Sequence, residues 1–156
     1  MISNGKTYLF VERVPLRTHQ ILRRELTLGK KVFYISKNAP HLLKTQLSFD
    51  DKKLIVRWLN PRPRGDCIPP MNLKTFEKHV ESFIAENRSG IVVLNGLEIL
   101  QMWNGFIPVI KTLKKLQGKM NQHGISMMIS LDPKTQFENH LIMLQRISDE
   151  VVSSNA

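Results

Sequence analysis

The chain has 156 residues and a hydrophobic fraction of 42%, enough for one domain with a core of its own. Its 23 Lys plus Arg against 13 Asp plus Glu give a formal net charge of +10, and the single cysteine, Cys67, excludes an internal disulfide and a cysteine-built metal cluster within one chain. No apolar run approaches the roughly 18 residues of a membrane span and the N-terminus lacks the pattern of a signal peptide, so no membrane partner is expected and a cytoplasmic location is.

The charge is one-sided: Met1 to Lys78 carries 16 Lys plus Arg against 6 Asp plus Glu, whereas His79 to Ala156 carries 7 against 7. Such a field fits a polyanionic partner, either nucleic acid or an acidic protein surface; the alternative is that these side chains are simply solvated.

In chain order, Thr7 to Glu12 reads as a strand, being aromatic and β-branched, and Pro15 ends it. Thr18 to Leu28 reads as a helix with Ile21, Leu22 and Leu26 on one face, Arg17, Arg23 and Arg24 on the other, and Gly29 as its stop. Val32 to Ile35 is a second strand. A short helix over His41 to Gln46 leads by Asp50 and Asp51 to a third strand, Leu54 to Leu59. Asn60 to Pro70 holds four of the eight prolines and reads as an irregular loop exposing Arg62 and Arg64.

Asn72 caps a helix running to about Asn87, with Leu73, Phe76, Val80, Phe83 and Ile84 on one stripe. Ile91 to Leu94 are four consecutive branched apolar residues, the pattern of a strand buried on both sheet faces. Asn95 and Gly96 turn the chain, and Leu97 and Leu100 follow at helical spacing. Strand, polar tip, turn and helix is the half-unit of open parallel α/β sheets, whose ligands lie beyond the carboxyl ends of the strands, so Asn95 is expected near any site.

Pro108 suits the first turn of a helix that turns Val109, Ile110, Leu113, Leu116 and Met120 inward. Its outer Lys111, Lys114, Lys115 and Lys119 are most simply a solvated face. After His123 and Gly124, Ile125 to Ser130 is a fifth strand, and Thr135 with Glu138 forms a capping-box pattern for a last helix carrying Phe137, Leu141, Leu144, Ile147 and Val151. Strand and helix thus alternate. The expected fold is a single three-layer α/β domain with a mostly parallel five-stranded sheet and helices on both faces, its core at residues 6–150 and flexible ends at 1–5 and 152–156.

No catalytic constellation, cofactor site or metal site emerges. The loop after the first strand, Glu12 to Thr18, has no glycine and no Gly-Lys-Ser/Thr, and Pro15 removes a donor, so it is not built to cradle phosphates. Asn95 stands where nucleotide hydrolases place a magnesium-holding acid, and Glu98, one turn on, reads as an exposed helix glutamate. The five histidines show no metal-ligand spacing. Cys67, between Arg64 and His79, is either a thiol of lowered pKa or a small buried one. Glu12, Ser36, Asn60, Asn95 and Asp132 all follow apolar strands at one sheet edge and form a candidate strand-tip pocket together with Glu98.

The blocks Tyr8 to Arg13, Ile55 to Leu59, Ile68 to Leu73, Val92 to Leu100 with Asn104-Gly105-Phe106, and Leu131-Asp132-Pro133 resemble those of an archaeal family known as domain of unknown function 835. The resemblance spans about Lys6 to Glu150 and is most specific in Leu94-Asn-Gly-Leu-Glu-Ile-Leu100. It implies a degenerate RecA-like, P-loop-like outline without the phosphate loop, in a cytoplasmic module sometimes attached to sensor and histidine-kinase domains. Family members tend to have Asp at the position of Asn95, which removes a metal role there. The resulting expectation is a non-catalytic regulatory module binding a protein partner, or a nucleic-acid-binding protein, through Arg13, Arg17, Arg23, Arg24, Arg62 and Arg64.

Overall fold

The computed structural model describes residues 2–49 and 52–153, so the Asp50-Asp51 connection lies outside the described residues. Of the strands of five or more residues, three are buried at every position: β2 (Val32–Ser36), β5 (Ile91–Asn95) and β6 (Ser126–Leu131). Their apolar residues alternate between two cores, as the period of two requires. Phe33, Ile35, Val92, Leu94, Met127 and Ile129 face one side, and Val32, Tyr34, Ile91, Val93 and Met128 the other.

These strands sit inside a seven-stranded sheet completed by β1 (Thr7–Val11), β3 (Leu54–Leu59), β4 (Cys67–Ile68) and β7 (Glu150–Ser153), in the order β4-β3-β2-β5-β6-β1-β7. Every ladder is parallel. The expected class stands, while the count rises from five strands to seven. β4 lies inside the proline-rich segment read as a loop, where Trp58 N–H donates to Asp66 O at 2.7 Å and Asn60 N–H to Ile68 O at 3.1 Å. β7 takes Val151, Val152 and Ser153, so Val151 belongs to an edge strand and not to the last helix; residues 154–156 lie outside the described residues.

Helices α1 (Leu16–Thr27) and α2 (Pro40–Leu47) cover one face through Leu22, Leu26, Leu43 and Leu47. The other face is covered by α3 (Leu73–Glu86), α4 (Leu97–Asn104), α5 (Phe106–Gln122) and α6 (Glu138–Ile147). Right-handed crossovers dictate this division: from β1 the chain steps one way along the sheet to β4, then reverses through β5 and β6 to β7. The five inward residues expected on α5 are all buried, each contributing about 1.5–3 kcal/mol relative to an exposed position. On its outer side Lys115 and Lys119 are not merely solvated, since they pair with Glu77 and Glu81 of α3.

Asn72 caps α3 as expected, its Oδ1 accepting from Thr75 N–H at 3.1 Å. The capping box at α6 does not form. Thr135 spends its hydroxyl on Asp132 O at 2.6 Å inside a short 3-10 turn, Pro133–Thr135, and the α6 cap is Phe137 without a side-chain bond. None of the helices among the described residues is long and apolar enough to cross a membrane.

The tightest backbone approach is at Gly96, between β5 and α4. Its φ is +153°, and a Cβ there would lie 2.7 Å from Leu59 Cδ1, on a buried side chain of β3. Gly96→Ala is expected to lower the unfolding free energy by about 1–3 kcal/mol. Gly118, exposed on α5 with open space around the position a Cβ would take, is the control: Gly118→Ala is expected to raise it by about 0.5–1 kcal/mol. Urea unfolding of the two variants should show shifts of opposite sign.

Candidate functional site

The chain reversal leaves two places where adjacent strands send their following helices to opposite faces: between β1 and β6, and between β2 and β5. Ligands of open α/β sheets lie at such switch points. Glu12 and Asp132 flank the first, and Ser36 and Asn95 the second.

Glu12 follows β1 directly and is 5% exposed. Its carboxylate is seated on the N-terminus of α1: Oε1 accepts from Arg17 N–H at 2.7 Å, and Oε2 from Thr18 N–H at 3.2 Å and Thr18 Oγ1–H at 2.7 Å. Pro15, the N-cap residue, has no side-chain acceptor to offer. A helix N-terminus after the first strand is where a phosphate would be received, because unpaired N–H groups and the helix dipole converge there. In this chain an internal carboxylate receives those two N–H groups.

Behind it lies a buried polar network that no spacing in the sequence assembles. His19 Nε2 and Tyr34 OH are 2.8 Å apart, and Asn95 Nδ2 donates to Tyr34 OH at 3.3 Å. Burial, aided by Arg23, pushes the His19 pKa down to about 4. Burial also pushes Tyr34 up, the Glu12 charge acting the same way against the Asn95 hydrogen bond. His19 and Tyr34 are therefore neutral near pH 7. Asn95 is at the strand tip as expected, but buried and bonded to this network, with Lys37 N–H donating to its carbonyl at 2.8 Å.

Glu98 is half-buried and paired, not an exposed helix glutamate: Lys37 Nζ lies 3.1 Å from its Oε2, while its Oε1 is buried without a partner among the described residues. Asn60 turns to its own loop, where its Oδ1 accepts from Arg62 N–H at 3.1 Å. Ser36 likewise turns to its own loop, its Oγ accepting from Asn38 N–H at 2.9 Å, and the other four candidate strand-tip residues divide among three adjoining cavities. Glu12 and Asp132 line one of about 410 Å³ with Arg13, Leu16 and Lys134. Asn95 lines one of about 360 Å³ with Arg13, His19 and Lys37. Glu98 lines one of about 420 Å³ with Met102, Lys134 and Phe137. Arg13 and Lys134 each border two of them, so the edge is continuous. It also exposes large apolar side chains, including Leu16 at 68%, Met102 at 72% and Phe137 at 76%.

The six arginines do not form one patch. Arg13 and Arg17 are exposed at this edge, at the start of α1. Arg23 is turned inward, donating from Nη1 to Leu47 O at 3.1 Å, and Arg24 sits exposed in the last turn, at the other end of the helix. Arg62, its Cζ 5.7 Å from the Trp58 ring centroid, and Arg64, paired with Asp66 at 2.9 Å, lie beyond β3, four strand positions from β1 and so about 19 Å away. Cys67 is buried, and burial together with Asp66 pushes its thiol pKa up, opposite to the activated alternative. Among the described residues, no three His, Cys, Asp or Glu side chains gather to hold a metal ion.

Comparison with curated proteins returns no match. Among solved structures, the crystal structure of the RadB recombinase matches with a TM-score of 0.49 and 17% identity, over 83% of this chain and 62% of that one. This chain therefore spans less than two thirds of that structure's length. The family described as "Protein of unknown function (DUF835)" matches residues 15–148. The chain belongs to the DUF835 family.

Proposed function

We propose that this chain is a non-catalytic regulatory module that binds a macromolecular partner through the carboxyl edge of its sheet, the partner being an acidic protein segment with apolar side chains. The observation that carries this reading is the seat of Glu12. A nucleotide phosphate at the start of α1 would meet a buried carboxylate already holding the N–H groups of Arg17 and Thr18. Like charges at that distance repel, and displacing the carboxylate would strand it. The edge that remains outside is cationic and apolar at once, with Arg13, Arg17 and Lys134 around Val14, Leu16, Met102 and Phe137. The same proposal sets the module in the cytoplasm.

Nucleic-acid binding is the second reading, favoured by the net charge of +10. It is weakened by the inward turn of Arg23 and by the separation of Arg62 and Arg64 from Arg13 and Arg17, which leaves no single basic patch.

A photoreactive side chain at Leu16 or Met102 of the full chain, in a native lysate, tests the reading, with ATP and GTP calorimetry alongside. The expected result is crosslinking to one acidic protein, lost when Arg13→Glu and Lys134→Glu are combined, and no nucleotide heat. Crosslinks mainly to RNA or DNA, with affinity falling about one log unit per log unit of salt for each phosphate met, would move the assignment to nucleic acid. Micromolar ATP binding would overturn the non-catalytic reading.

A further inference from the structure

A separate cavity of about 370 Å³ opens between β3 and α3. It exists because β4 pairs with β3 only at Trp58 and Leu59, which leaves the first part of β3 as an edge, and α3 is the outermost helix on that face. Leu54 and Val56 point to the α1/α2 core, so Ile55 and Arg57 point to the α3 side. α3 contributes Lys78, His79, Ser82, Phe83 and Glu86, whose spacing puts them on one helix face.

The floor is flat and apolar: Phe33 and Phe83 stack at 5.4 Å with 16° between their planes. Arg57 borders it, its Cζ 6.0 Å from the Phe33 centroid, with Nη1 donating to Val56 O at 3.0 Å. Its Nε is buried and has no acceptor among the described residues, a costly state for a charged donor. Nη2 is neither hydrogen-bonded nor closed off among the described residues, so it is the charged donor left to meet a carboxylate or phosphate oxygen. Lys78, His79 and Ser82 place an ammonium, an imidazole and a hydroxyl on the opposite wall, and among the described residues Glu86 is the one carboxylate lining the cavity.

We propose that this cavity binds a small organic anion, a single carboxylate or phosphate group carried on a flat apolar body, with Arg57 as the anchoring donor. The volume suits a one-ring molecule, at the small end of ligand cavities, which run from about 300 to 1,000 Å³. Glu86 selects against polyanions. The site is remote from the carboxyl edge, and its occupancy does not depend on the partner proposed above.

The test is an NMR titration of the full chain with benzoate, phenyl phosphate, inorganic phosphate and benzyl alcohol, reading the His79 imidazole and the Arg57 Nη–H signals. Saturable movement of both signals by benzoate or phenyl phosphate is expected, with inorganic phosphate about tenfold weaker and benzyl alcohol without effect. Arg57→Gln, which removes the guanidinium charge and its Nη2 donor, should weaken binding about tenfold or more. Should that variant fail to fold, Lys78→Gln is read instead, with a loss of several-fold expected. Unmoved signals, equal affinity for inorganic and phenyl phosphate, or unchanged affinity in the folded variant would each overturn the proposal.

Discussion

Glu12→Ala should be among the most destabilising single changes at the carboxyl edge, lowering the unfolding free energy by about 3 kcal/mol in urea titrations. Three donors lose their acceptor at once: the N–H groups of Arg17 and Thr18 and the buried Thr18 hydroxyl. Charge-assisted bonds contribute about 1.5–3 kcal/mol each, less than additively, and the favourable placement of a negative charge at a helix N-terminus is lost with them. Pro15 has no side chain to take over the cap. Glu12→Gln keeps one acceptor oxygen and should lose about half as much. If the carboxylate seals a position an anion would otherwise occupy, millimolar formate should recover part of the melting temperature of Glu12→Ala and none of the wild type's. A variant as stable as the wild type would mean that solvent replaces the carboxylate, and the argument for a sealed anion position would fall with it.

The same residue shows what a linear reading reaches. Glu12 was legible as a polar strand tip because apolar Tyr8 to Val11 precede it, but its acceptor role depends on how the chain bends at Pro15, which no pattern records. Ile91 to Leu94 announced a strand buried on both faces, and from that strand the layered class followed. β4 escaped because two residues in a proline-rich segment become a strand only through bonds to Trp58 and Asn60. β7 escaped for a related reason. Val151 is in phase with the helical stripe before it, yet Asp149 exchanges bonds with Thr7, its Oδ2 and N–H each at 2.8 Å from the Thr7 backbone, and draws the chain to the sheet edge. Lys37 and Glu98 pair across 61 positions, so a glutamate that looks solvent-facing by helical phase is held by a strand-exit loop. Local periodicity carried the elements; the site is made of contacts between loops that only the closed sheet brings together.

The strongest pH effect expected from this structure comes from His19. The folded chain holds its pKa at about 4, against 6.5 for an exposed imidazole, chiefly through burial and secondarily through Arg23. Between those two values the unfolded chain binds a proton that the folded chain refuses, so stability rises with pH across that window. The contribution is complete above pH 6.5 and is lost as the pH falls toward 4; at about 1.4 kcal/mol per pKa unit the total is about 3 kcal/mol. His79, lowered by burial and by Arg57, acts in the same direction. His19→Gln removes the titration while keeping a partner for Tyr34 OH, from which His19 Nε2 lies 2.8 Å. The difference in unfolding free energy between wild type and variant should therefore change by about 3 kcal/mol from pH 7 to pH 4, the carboxylates common to both cancelling. Parallel stability profiles for the two proteins would mean that the imidazole is reached by water in the folded state, and that the Tyr34 and Asn95 network behind the carboxyl edge is open rather than sealed.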